Sequence, residues 1–244
     1  MKVIVFGATG MVGRGVLREC LRDDTVSEVL VIGRTATGVA HPKLREILRQ
    51  DLDALMTEDG IVDRLSGYDA CFFCLGVSAA GMSEEAYRRI THDLTLAVAG
   101  ALSSARPDLT FVYVSGQGTD STERSRSMWA RVKGRTENDL LALPLRTHLF
   151  RPGYIQPLHG ITSRTRLYRV IYGVTSPLYP LLRRLAPDHV TTTEQLGRAM
   201  IAVARDGAPQ RVLHTRDINA SALADGRRAA PLTSRPRSTP PPPS

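Results

Sequence analysis

Seven residues near the start of the chain, Gly7-Ala8-Thr9-Gly10-Met11-Val12-Gly13, have the types and spacing to hold a diphosphate. Gly7 allows a tight turn, Gly10 lets backbone approach a pyrophosphate, and Gly13 lets a helix pack closely on the strand before it. The exposed amides around Thr9, Met11 and Val12 and the positive end of the helix dipole favour an anion there. Further on, Val29-Leu30-Val31-Ile32 runs into Gly33-Arg34-Thr35 without the acid that would bond a ribose 2′-hydroxyl and repel a 2′-phosphate. Arg34 can pair a phosphate bidentately and stack on adenine, with Arg14 as a second cation, so NADP(H) is expected in preference to NAD(H). Asp51 has two compatible readings, as acceptor for the adenine amino group or as the cap of a helix starting near Asp53. Leu52 would touch the ring.

These groups need strands that end together and helices that start there. Apolar runs of strand length are expected at Lys2–Phe6, Glu28–Ile32, Leu44–Leu48, Asp69–Leu75, Leu109–Ser115 and Leu145–Arg151. Helical stretches fall near Met11–Arg22, Asp53–Leu65, Ser83–Arg106 and Ser127–Leu141. The alternation, and strands apolar throughout rather than every second residue, predict an α/β Rossmann-type doubly wound parallel sheet. After Arg151, prolines interrupt the apolar stretches, until a helix near Glu194–Ala204 and a strand at Arg211–His214. One domain over residues 1–218 is expected, with a cofactor core to about 155 and a small substrate lobe over 156–218. Residues 219–244, rich in Pro and Arg, read as a disordered tail.

The chain has 244 residues, 32 Lys plus Arg against 24 Asp plus Glu, and 42% hydrophobic residues. Of the net charge of +8, the tail supplies +3, from four Arg and one Asp. The rest is diffuse and no recognition motif accompanies it, so no specific nucleic-acid partner is expected. Only Lys2, Lys43 and Lys133 are lysines. Cys20, Cys71 and Cys74 form no disulfide framework, and Met1-Lys2 leads into a strand rather than a secretory signal, so a cytoplasmic protein is expected. Cys71 and Cys74 should point to opposite faces of their strand, and the six histidines lack ligand spacing, so no metal is expected. No segment has transmembrane length. The arginines from Arg164 to Arg184, interleaved with Leu167, Tyr168, Ile171, Tyr172 and Tyr179, read as a solvated face over the lobe. A protein partner, an acidic substrate or a membrane surface could also use them.

The sequence resembles the atypical, extended-like short-chain dehydrogenase/reductases, in the branch of the Tat-interacting oxidoreductase. Phe6-Gly7-Ala8-Thr9-Gly10-Met11-Val12-Gly13, Ile32-Gly33-Arg34, Cys74-Leu75-Gly76, Val114-Ser115, Val132-Lys133-Gly134 and Phe150-Arg151-Pro152-Gly153 carry the likeness over residues 1 to about 155. A weaker likeness around Thr192–Met200 extends it to about 218. The family implies that Leu75 and Gly76 back the cofactor ribose and that Pro152 and Gly153 face the nicotinamide. It also implies a catalytic Ser, met by Ser115, and a Tyr-x-x-x-Lys pair acting on a small carbonyl or hydroxyl substrate, of which Lys133 supplies the lysine. Four residues before Lys133, however, stands Trp129, whose indole N–H does not give up a proton near neutral pH. Thr91-His92-Asp93 occupies the place of the family's helical Asn. Three readings follow: an oxidoreductase or epimerase that reduces or epimerises its substrate with a replacement acid among His92, Tyr154 and His159; an NADPH-dependent regulatory module that binds a protein partner; or weak turnover with Trp129 stacked on the nicotinamide or substrate and water supplying the proton.

Overall fold

The computed structural model describes residues 1–161, 179 and 184–229. Val3, Ile4, Val5 and Phe6 of β1 (Lys2–Phe6) are all buried, as a strand covered on both faces requires. Around it lie β2 (Glu28–Gly33), β3 (Leu44–Leu48), β4 (Ala70–Phe73), β5 (Thr110–Val114), β6 (Arg146–Arg151) and β9 (Val212–His214). Their order is β3-β2-β1-β4-β5-β6-β9, and every pairing is parallel, for example Val5 with Val31 on one side and Phe72 on the other. The order reverses between β1 and β4, and at that switch point the carboxyl ends of the strands leave a crevice. The expected fold class is the observed one.

Two helical layers cover the sheet. On one face α1 (Met11–Arg22), α7 (Thr193–Asp206) and α8 (Thr215–Ala229) meet Val3, Val5, Val29 and Phe72 through Val16, Leu196, Met200 and Ile218. On the other, α2 (Leu52–Met56), α3 (Ile61–Leu65), α5 (Leu94–Ala105) and α6 (Met128–Ala142) meet Ile4, Phe6, Phe73 and Phe111 through Leu55, Leu65, Val98 and Leu140. Alternate strand residues thus feed opposite layers, as the two-residue period dictates.

The expected helix over 53–65 is broken into α2 and α3, because Gly60 takes a left-handed φ of 77° just before α3. The stretch 83–106 becomes α4 (Glu84–Arg88), a π turn (Arg89–Asp93) and α5. The C-terminal reading needs two corrections. First, α7 packs on α1 and β9 joins the main sheet, so much of the expected lobe is part of the Rossmann body. What stands apart is a two-stranded parallel sheet of β7 (Tyr154–Gln156) and β8 (Val190–Thr192). Second, the tail does not begin at 219: α8 runs to Ala229, with Ile218, Ala222 and Asp225 buried. Its amphipathic spacing was masked in sequence by the Ala, Arg and Ser around it. The rest of the tail and most of the Arg164–Arg184 segment lie outside the described residues. Among the described residues no helix is long and apolar enough to cross a membrane.

Candidate functional site

The glycine turn is held by a hydrogen bond from Gly10 N to Gly7 O, 2.9 Å. Gly7 has φ 76°, and a Cβ there would come 2.6 Å from Leu75 N. A Cβ on Gly13 would lie 2.1 Å from Gly7 O, so that position is closed to any other residue while the turn and α1 keep this contact. No side chain caps α1 and its first turn holds no acid. Its leading amides are therefore left for an outside acceptor, with the helix dipole behind them.

They open onto a cleft of about 850 Å³ along the carboxyl edge of the sheet. Gly7, Thr9, Gly10, Met11, Val12, Arg34, Asp51, Leu52, Leu75, Gly76, Lys133, Pro152 and Gly153 all line it, with Ser115. Gly13 lies beneath the wall as a packing residue. At one end, Arg34 is exposed and forms no ion pair among the described residues. Gln50 Nε2 donates to its carbonyl, 3.2 Å, tying the loops after β2 and β3 together. Asp51 caps α2, its Oδ1 accepting from Ala54 N at 2.9 Å, which settles that half of its double reading and leaves Oδ2 for a ligand. Arg14 is exposed on α1 and does not line the cleft.

At the other end the chain departs from expectation. The hydroxyl of Ser115, the residue just after β5, is buried and donates inward to Glu137 Oε1, 2.5 Å, on α6. Arg151, at the end of β6, clamps the same carboxylate, with Nε 3.1 Å from each oxygen and a further short contact from its terminal nitrogen. Arg151 also reaches Ser121 Oγ at 2.5 Å. Lys133, one helical turn before Glu137, donates to the Ser115 carbonyl oxygen. Desolvation pushes its pKa down to about 8, against the opposing pull of Glu137. Pro152 O accepts from Gln117 N, and Gly153 N donates to Thr215 Oγ1, both at 2.8 Å, which fixes the floor.

Several expected site residues are not brought together. Trp129 does not line the cleft; its ring lies over the loop after β5, where a Cβ on Gly118 would be 3.0 Å from its Cη2. His92 is held between Asp93 and Asp139, each at 2.7 Å, and His159 bonds Glu194 at 2.7 Å; neither lines the cleft. The Tyr154 hydroxyl donates to Gln156 Oε1, 2.9 Å, also away from it. Tyr113 is buried, and desolvation raises its phenol far above the ordinary range. Cys71 and Cys74 pack into opposite faces of the sheet.

Glu137 and Arg151 were missed as site residues. The signal was present: Lys133 and Glu137 are four apart on one helical face, and Arg151 ends a strand beside the one that carries Ser115. Only the adjacency of β5 and β6 makes the three meet.

Curated relatives and solved structures agree with this architecture. The chain is 30% identical over 154 residues, 62% of its length and 65% of the relative's, to protein FMP52-2, mitochondrial, of Scheffersomyces stipitis. It is 28% identical over 205 residues, 82% and 85% of the two lengths, to protein fmp52-2, mitochondrial, of Aspergillus terreus. To rat protein HTATIP2 it is 27% identical over 154 residues, 63% and 62%. The matches thus span just under two thirds of the Scheffersomyces and rat proteins. The FMP52 names overturn the expectation of a cytoplasmic protein: reduced cysteines are no guide between cytosol and mitochondrion. In fold, the chain resembles Bordetella bronchiseptica WbmF in complex with NAD+, with TM-score 0.62, 17% identity and coverage of 93% and 77%. It also resembles a Burkholderia cenocepacia short chain dehydrogenase in complex with NADP, with TM-score 0.61, 16% identity and coverage of 93% and 94%. The family model described as NAD dependent epimerase/dehydratase matches residues 3–125, just over half of the chain. With the glycine turn, the switch-point cleft and the sheet order in place, the chain belongs to the NAD dependent epimerase/dehydratase family.

Proposed function

We propose that this protein is an NADP(H)-dependent oxidoreductase acting on a small carbonyl or hydroxyl compound, with the cofactor extended along the cleft. The observation that carries the reading is one continuous wall holding the uncapped start of α1, Arg34, which has no ion-pair partner among the described residues, and Lys133. The residues fit such a cofactor. The first amides of α1 would take the diphosphate, Arg34 a 2′-phosphate, and Asp51 and Leu52 the adenine. Gly76 leaves open space where a side chain would stand, room for a ribose between Leu75 and the turn. Lys133 would hold one nicotinamide ribose hydroxyl, and the bound group would supply hydride. Glu137 fixes the Ser115 hydroxyl as a donor pointing inward, so toward a substrate Ser115 Oγ offers its lone pair.

A second reading, a nucleotide-dependent module that binds a protein partner, is favoured by that inward-turned hydroxyl and by the absence of a phenol among the described cleft residues. Titration calorimetry tests the cofactor claim. NADPH is expected to bind more tightly than NADH, and Arg34→Ala to weaken NADPH by about tenfold to a hundredfold, the worth of a charged hydrogen bond at about 1.5–3 kcal/mol, while NADH is unchanged. Equal affinity for the two nucleotides would remove the NADP(H) preference. Binding without reduction of any of a mixed set of ketones, aldehydes and quinones would favour the second reading.

A further inference from the structure

We infer that the Lys133 ammonium is itself the proton donor of this site, delivering a proton to the substrate oxygen directly instead of acting through a tyrosine. The inference rests on the cofactor reading above and gives the missing phenol's task to a group already in place. The argument is one of position. Among the described residues that line the cleft, the titratable side chains are Arg34, Asp51, Asp53, Cys74 and Lys133. The first three stand at the adenine end. Cys74 holds its proton too tightly, since desolvation raises its thiol far above the ordinary range. The Ser115 proton is committed inward to Glu137. That leaves Lys133 beside Ser115, Pro152 and Gly153, where the substrate must meet the nicotinamide.

Its setting suits the task. One ammonium proton is held by the Ser115 carbonyl, which fixes the nitrogen at the end of β5 and leaves two protons for the cleft. From its own helix Glu137 faces it, already neutralised by Arg151 from β6. The π turn and the start of α5 add only the apolar Ile90 and Leu94 to the lining. The other ion pairs of α6, Arg131 with Glu84 and Asp139 with His92 and Arg135, bind groups outside the cleft lining. Desolvation, the larger influence, brings the amine to about 8, close to the operating pH at which a general acid works best. In carbonyl reduction a bound dihydronicotinamide would supply hydride to the carbonyl carbon. The C=O π pair moves to oxygen and takes a proton from Lys133 Nζ, and the neutral amine left behind regains its proton from water.

The test has one readout without turnover and one with it. Acetylation of the apoprotein with acetic anhydride across pH, followed residue by residue by mass spectrometry with Lys2 and Lys43 as internal references, should show Lys133 half-reactive near pH 8. Half-reaction near the ordinary lysine value of about 10.4 would overturn the inference. NADPH oxidation with 4-nitrobenzaldehyde and 9,10-phenanthrenequinone should give a kcat that falls about tenfold per pH unit above the Lys133 pKa. Lys133→Arg, cationic but unable to release a proton, should lose at least about a hundredfold in kcat while still binding NADPH. Lys133→Ala should be rescued by added methylamine, a response that a purely structural lysine would not produce. A flat profile between pH 7 and 10, full activity in Lys133→Arg, or NADPH binding with neither probe reduced would each overturn the inference and leave the cofactor reading standing. Failure to bind NADPH by calorimetry would overturn both.

Discussion

Removing the Glu137 carboxylate should be among the most damaging single changes in this molecule. Its side chain is 0% exposed and that of Arg151 only 14%, so water cannot replace either partner. Glu137→Leu nearly keeps the volume but takes the bidentate acceptor from Arg151 and, among the described residues, the only side-chain acceptor from Ser115. Breaking a buried pair by removing one partner costs about 3–5 kcal/mol, because the surviving charge is left uncompensated. Arg151 keeps Ser121 Oγ and a sliver of solvent, and Ser115 Oγ keeps the Phe150 carbonyl at 3.2 Å, which favours the lower end, about 3 kcal/mol. At about 2–4 °C per kcal/mol for a chain of this size, the melting temperature should fall by about 6–12 °C in scanning calorimetry at pH 7. The double variant Glu137→Leu/Arg151→Met, with neither charge, should recover to within about 1.5 kcal/mol of the parent. A melting temperature for Glu137→Leu within about 2 °C of the parent would refute the reasoning, as would a double variant destabilised by the sum of the two singles.

Three further outcomes are expected. Gly13→Val forces Gly7 O or α1 to move from a 2.1 Å Cβ contact, so it should destabilise by about 1–3 kcal/mol in urea unfolding and weaken nucleotide binding at least tenfold by calorimetry. Burial alone would raise the Asp69 carboxyl, but the Lys2 amide at 2.7 Å and Arg106 at 2.8 Å outweigh it and hold its pKa below the usual carboxylate value. A depressed folded pKa means stability that is present above the ordinary value of about 3.9 and lost as pH falls through the lower one, so Asp69→Asn should flatten that part of a stability–pH curve and cost stability at pH 7. Desolvation raises the thiols of Cys20, Cys71 and Cys74, so at pH 8 a disulfide reagent should modify the buried Cys20 and Cys71 only as fast as the protein unfolds, and the half-buried Cys74 of the cleft wall more slowly than a free thiol; rapid modification of Cys20 or Cys71 would refute this.

The candidate site was legible where its residues are close in sequence and illegible where it is assembled across strands. The glycine turn and Arg34 each stand within a few residues of the strand that presents them, so position along the chain already implied position in the cleft. Trp129 stands one turn before Lys133 on the same face of α6, yet its ring packs beside Gly118 of the loop after β5, a contact between separate segments that spacing along a helix does not record. The candidate acids His92, Tyr154 and His159 were chosen by residue type, and each proves to be engaged by a nearby carboxylate or amide outside the cleft lining.

Sequence by itself determined the alternation of strand and helix, the phosphate-binding turn and the α/β class, because each follows from local periodicity and from glycines spaced for a left-handed turn at Gly7 and a close helix–strand contact at Gly13. Tertiary structure alone decided that α7, α8 and β9 complete the Rossmann body, that Ser115 faces a buried carboxylate, and that Lys133 lines the cleft beside Ser115, Pro152 and Gly153. Those facts depend on β6 lying between β5 and β9. That adjacency is set by how the apolar faces of distant segments pack, which no short window of sequence records.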